Sequence, residues 1–298
     1  QRTSSEPFTM ASLNVEQGQY TSYILTDEAT QSEVVIIPER GGIITEWRIQ
    51  GQDLFYLDRE RLKDPKLSIR GGNPILFPIC GNLPQDQYQV AGNSYTLVQH
   101  GFGRNLPWTV LEQSTDPLSL SVQLTSNDQT RSGYPFEFAV TYTYVVQGTS
   151  LEVRQRYENQ GDRPMPFSVG FHPYFGISDS NKGQLQYNFP VKQWQVKETG
   201  ELLPFEGLDF SQAEIDMAFP GVTGSVATVT DPTRSLTITV EYDSPFKTLV
   251  FWTVQGKDFY CLEPWSAPRN AMNTGTDLIT LAPGEVLETW VRYRAAIG

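Results

Sequence analysis

The side chains best suited to proton transfer at neutral pH are few in this chain. It has only two histidines, His100 within Gln99-His100-Gly101-Phe102-Gly103-Arg104 and His172 within Gly170-Phe171-His172-Pro173-Tyr174-Phe175. Histidine titrates nearest neutrality, so either could give or take a proton as a general acid or base must. A satisfied structural histidine is the plain alternative for each. Gly101 and Gly103 permit close backbone approach, and Pro173 cannot donate to a strand ladder, so each histidine is expected at a sheet margin. A third segment, Tyr260-Cys261-Leu262-Glu263-Pro264-Trp265-Ser266, sets a carboxylate in an apolar run. Buried there, Glu263 would be costly unless paired or protonated, and carboxylates in that position are candidates for acid–base work. Alternation alone leaves open that Glu263 ends a strand and points to water.

A fourth segment carries Arg70-Gly71-Gly72-Asn73 and, just beyond, Phe77-Pro78. Arg70 offers a rigid donor fork for hydroxyls, carboxylates or phosphate. The glycine pair lacks the Lys-Ser/Thr of a P-loop and the GxGxxG of a dinucleotide fold, which disfavours nucleotide binding. No G-x-S-x-G elbow supports a serine nucleophile. No HExxH or CxxC spacing marks a zinc site, so no metal is expected. Trp252, Trp265 and Tyr174 read more readily as core aromatics, whereas Phe102, between two glycines, reads as a loop residue near a ligand.

These residues need elements to hold them, and the sequence supplies strands. Residues 118–124, 138–146 and 236–242 alternate apolar and polar with period two. Segments 21–25, 34–37, 44–49, 108–111, 151–157, 248–253, 259–262 and 288–293 are rich in β-branched and aromatic residues between turn formers. No amphipathic helical stripe is evident, and 24 Gly with 20 Pro punctuate the 298 residues too often for long helices. The expectation is an all-β protein, a large antiparallel β-sandwich with little helix, forming a single domain over residues 1–298. No propeller or solenoid repeat is visible.

Composition narrows the partners. Lys and Arg number 22 against 34 Asp and Glu, a formal charge of −12. Without a basic run, a nucleic-acid binder is disfavoured. No apolar stretch is long enough to span a bilayer, so no membrane association is expected. Residues 1–8 show no basic-then-apolar leader, which makes a cytoplasmic location the default. Cys80 and Cys261 are read as reduced thiols.

Taken in order, Arg70-Gly71-Gly72 with Phe77-Pro78, His100-Gly101-Phe102-Gly103-Arg104, His172-Pro173-Tyr174-Phe175 and Leu262-Glu263-Pro264 resemble the signature blocks of the aldose 1-epimerase (galactose mutarotase-like) superfamily. The resemblance implies a supersandwich whose concave face takes a sugar, an isomerase (mutarotase) that interconverts the α and β anomers of a free hexose such as glucose or galactose, and no cofactor. It implies His172 as general acid, Glu263 as general base, and His100 and Arg70 as substrate contacts. It also points to Asp216, in Asp216-Met217-Ala218-Phe219, as a sugar-binding carboxylate, with Asp209 as rival. The same blocks resemble the hexose-6-phosphate 1-epimerase branch, in which Arg104 and Arg70 would meet phosphate. Asn73 and Gly103 depart from that branch, where a small apolar residue and Ala are usual. A small-molecule sugar or sugar phosphate is thus the expected partner. A non-catalytic carbohydrate-binding protein is the alternative from another class, against which the retained His172 and Glu263 count.

Overall fold

The computed structural model describes residues 10–298. The reading of residues 1–8 lies outside that range. Among the described residues the helices are short, Arg59–Lys63, Asp128–Gly133 and Ala271–Thr274, together with three 3-10 turns. None is long and apolar enough to cross a membrane.

Strands dominate, and their named pairings are all antiparallel. Leu236–Tyr242 buries Leu236, Ile238, Val240 and Tyr242 and leaves the residues between them half-buried, as its alternation requires. Phe138–Gln147 buries Phe138, Val140, Tyr142, Tyr144 and Val146 in the core, where the five-stranded meander also packs, and leaves Thr141 and Thr143 of its other face half-buried. One eight-stranded sheet runs in the order Gln186–Asn188, Val226–Asp231, Leu236–Tyr242, Val286–Ile297, Ser150–Asn159, Phe138–Gln147, Leu118–Thr125, Thr109–Thr115. A five-stranded meander, Ala11–Glu16 through Gln52–Asp53, packs against it.

The second eight-stranded sheet positions the candidate site. Its path is Leu202–Pro204, Gln193–Gln195, Glu214–Pro220, Thr248–Val254, Phe259–Trp265, Gly170–Phe171, Ile75–Leu76, and Tyr174–Gly176 also pairs with Phe259–Trp265. A continuous apolar cluster reaching from Leu25 to Ala295 joins the sheets. Phe77 stands within it, its ring meeting those of Phe102, Tyr134, Phe138, Tyr157 and Phe167. Phe102 therefore packs into the core on Phe77 and Phe138, and the expectation that it approaches a ligand is corrected. A glycine-flanked aromatic still follows the largest apolar surface within reach.

Candidate active site

Register brings the two principal residues together. Gly170 pairs with Trp265, and Tyr174 pairs with Cys261 on the same strand. Counting inward from both ends, the chain sets His172 across from Glu263, where the ladder lapses at His172-Pro173. His172 is thus inside the sheet and not at its margin, and the proline interrupts the strand without ending it. His172 Nε2 lies 3.4 Å from Glu263 Oε1.

Alternation then builds the floor in rows. Asp216 pairs with Trp252, Trp252 with Cys261, and Cys261 with Tyr174. Two residues further along each strand, Ala218 pairs with Val250 and Val250 with Glu263. Residues two apart share a face, so the first row sets Asp216, Trp252 and Tyr174 beside the catalytic candidates. The second row offers only Ala218 and Val250 next to Glu263, small side chains that leave room above them. A cavity of about 210 Å³ opens there, lined by Arg70, His100, Arg104, His172, Asp216 and Glu263 among others.

His100 arrives from a loop. Phe77 O accepts from Phe102 N–H and Gly103 N–H, each at 2.9 Å. Gly101 makes that approach possible: its φ is 68°, and a Cβ there would stand 2.3 Å from Phe77 O. His100 N–H donates to Gly81 O at 2.8 Å, and Gly81 N–H donates to His100 Nδ1 at 2.9 Å. With Nδ1 an acceptor, the ring proton of neutral His100 resides on Nε2, as a donor for a ligand.

Burial governs the electrostatics. Glu263 is 1 % exposed, and desolvation pushes its carboxyl well above the usual carboxylate range. Asp216 adds to that rise, while Trp265, Arg269 and Arg104 oppose it. Trp265 Nε1–H donates to Glu263 Oε2 at 3.0 Å. Desolvation lowers His172 below the usual histidine value, with Arg104 next in effect, and lowers His100 well below it. Both shifts favour the neutral forms of the pair, with the proton on Glu263 and not on His172.

The cavity is rich in cations. Arg104 is half-buried, donates from Nη2 to Gln99 O at 3.2 Å, has no partner at Nε, and makes no salt bridge to a described carboxylate. Arg70 is exposed at the rim. Asp216 receives Lys197 Nζ at 3.0 Å and has Arg269 Nη2 at 3.6 Å. Asp209 instead binds its own loop through Ser211 and Gln212 and does not line this cavity.

The core reading holds for Trp265 and Tyr174, which are buried, while Trp252 is half-buried against Tyr174 and Cys261. Trp252, Trp265 and Tyr174 all line the cavity, and the Tyr174 ring stacks on His172 at 4.8 Å between centroids. Lys197, Arg269 and Glu214 had no sequence motif to mark them. The spacing of Glu214 and Asp216 on one strand is a signal that could have found Glu214.

Among the described residues, one grouping of three side chains has a metal-like donor set: His172, Cys261 and Glu263, with ligand atoms within 4.8 Å of one another. Donors sharing one zinc ion would lie about 3.5 Å apart at ordinary bond lengths. Cys261 is fully buried beneath the site and its thiol is pushed well up by burial, so this grouping would need rearrangement and thiol deprotonation to hold an ion. Cys80 and Cys261 are both free.

The fold is an antiparallel β-sandwich, with His172 and Glu263 at the floor of a cavity on one sheet. The chain belongs to the aldose 1-epimerase family, whose model matches residues 23–294. The solved structure of the Slr1438 protein from Synechocystis sp. PCC 6803 is 42% identical, covers 99% of this chain and 100% of its own, and superposes with a TM-score of 0.90. YphB of Escherichia coli is 32% identical over 237 residues, 70% of this chain and 79% of its own length. A protein of Cenchrus ciliaris, provisionally named a glucose-6-phosphate 1-epimerase, is 25% identical over 277 residues, 82% of this chain and 76% of its own. Family membership makes the protein an isomerase of the epimerase/mutarotase type.

Proposed function

We propose that the protein interconverts the α and β anomers of an aldohexose by ring opening and reclosure, with Glu263 and His172 as base and acid. The observation that carries this reading is the buried 3.4 Å contact between the two, at the floor of a cavity open to a sugar. Glu263 takes the proton of the C1 hydroxyl while His172 delivers one to the ring oxygen; rotation about C1–C2 and the reverse transfers give the other anomer. The pair needs one proton between its two members, and the neutral and zwitterionic arrangements contain the same number. Burial favours the neutral arrangement, with the proton on Glu263. Arg269, Arg104 and the Trp265 N–H favour ionised Glu263, one half of the arrangement the reaction starts from, while Arg104 opposes its other half, protonated His172. His100, donating from Nε2, and Asp216 orient hydroxyls, and Trp252 offers an aromatic face to the sugar.

The leading substrate is a free hexose such as glucose or galactose. A hexose 6-phosphate is the second reading, favoured by Arg104, a half-buried guanidinium without a carboxylate partner. Polarimetry or NMR exchange with glucose, galactose and their 6-phosphates tests both, using His172→Ala and Glu263→Gln as controls. Acceleration for free sugars, abolished by either change, supports the leading reading. Acceleration confined to phosphates promotes the second, and tight sugar binding with no acceleration makes the protein a carbohydrate binder.

A further inference from the structure

Arg269 takes no step in that mechanism, yet much of the cavity wall is arranged around it. Its guanidinium carbon stands 5.8 Å from the centroid of the Trp265 ring, and that indole donates to Glu263 Oε2. Its Nη2 is 3.6 Å from Asp216 Oδ1. Its Nε is buried and has no partner, and its side chain is 16 % exposed. Room for it depends on Gly81, where a Cβ would stand 2.5 Å from Arg269 Cβ. Gly81 is also the residue that fixes the His100 ring.

We propose that Arg269 is a positioning residue of the reaction, holding the Asp216 carboxylate for the sugar and, from its seat on Trp265, setting the charge balance of the Glu263–His172 pair. This rests on the acid–base reading of that pair. A cation here is weakly screened, so it favours the pair carrying fewer protons. The other charged groups acting on the pair are Arg104, Arg70 and Asp216, and Lys197, which pairs with Asp216, and Glu214 line the same cavity. His100, Tyr174, Cys80, Cys261 and Tyr293 also face it, all held neutral by burial. Arg269 alone among these cations stands both 3.6 Å from Asp216 and over the indole that donates to Glu263. Lysine would keep the charge but lose the planar fork that spans the two.

The test is the pH profile of kcat, with KM, for Arg269→Met, Arg269→Gln and Arg269→Lys in the full chain. Removing the cation leaves Asp216 with Lys197 as its one cationic partner and makes each protonation of the pair easier. Both limbs of the profile should therefore move to higher pH by about one unit in the Met and Gln variants. KM should rise about tenfold in all three, and Lys should keep the limbs near their original pH. Limbs that stay in place in a folded neutral variant, whatever its kcat, overturn the proposal, as does a Lys variant that shifts as far as Met. Using both neutral variants guards against one failing to fold. Glu263→Gln in the same assay separates the two levels: full turnover there sinks the acid–base reading, whereas a dead Glu263→Gln with unmoved Arg269 limbs sinks only this inference.

Discussion

Arginines and carboxylates meet on two faces of this molecule, and they meet in opposite ways. On the outer face of the large sheet, Arg292 lies across from Glu152 on one neighbouring strand and Glu241 on the other. Its Nε donates to Glu152 Oε2 at 2.7 Å and its Nη1 to Glu241 Oε2 at 3.1 Å. Arg154 and Arg156 pair with Glu152 and Glu158 along the same strand. The recess there, about 430 Å³, is larger than the cavity of about 210 Å³ beside Glu263. Each of these outer arginines has a carboxylate, and water reaches them all. In the inner cavity Arg104 has no carboxylate, Glu263 is buried without a cation in direct contact, and both histidines are desolvated. Recess size does not distinguish the two faces; unbalanced, buried charge does, because desolvation shifts proton affinities only where water is excluded.

The sharpest way to break the comparison is to disable one side chain on each face. His172→Ala or Glu263→Gln should lower kcat at least about 100-fold, the usual lower reach of general acid–base catalysis. Polarimetry at saturating sugar checks this, and a residual rate near wild type would dismiss the inner pair as catalytic.

Arg104→Met should lower kcat/KM for a hexose 6-phosphate by about 10- to 100-fold, corresponding to roughly 1.5–3 kcal/mol for a charged hydrogen bond. The free hexose should change by less than about threefold. An equal loss on both sugars would assign Arg104 to a hydroxyl common to them.

Stability should respond to acid through the inner face. Both histidines have folded pKa values lowered from an unfolded value near 6.5, so below that pH the unfolded chain binds protons that the folded chain refuses. Stability falls as pH drops, by up to about 1.4 kcal/mol per pH unit for each histidine. Glu263 acts with the opposite sign: its raised carboxyl makes folding less favourable as pH climbs above about 4.3. Thermal melts between pH 5 and 8 should show His100→Asn losing less stability in acid than wild type; parallel curves would contradict the assignment of His100 as buried and neutral.

The smallest effect belongs to the outer ladder. Arg292→Met should leave kcat unchanged and cost at most about 1 kcal/mol, less in high salt, because that side chain is 29 % exposed. A kcat loss there would mean that the outer recess participates after all.

Much of the strand pattern was legible. Residues 118–124, 138–146 and 236–242 alternate because one face of each strand meets the core, and the observed strands Leu118–Thr125, Phe138–Gln147 and Leu236–Tyr242 follow them closely. The residue blocks around His100, His172 and Glu263 likewise announced the family, since unusual types in fixed order survive without knowledge of the fold. What period two cannot state is which face looks into a cavity, so it leaves unstated that the buried Trp265 and Tyr174 also line one, and it reads Phe102 as ligand-facing where that ring packs on Phe77 and Phe138. Nor can it join strands far apart in the chain. The pairing of Gly170 with Trp265 and of Tyr174 with Cys261 sets His172 against Glu263. That register depends on the packing of whole sheets. Lys197 and Arg269 reach Asp216 only after three separate segments have closed on one another. Local sequence determined the strands and the types of chemistry available, while tertiary structure decided which charges lost their water and which met.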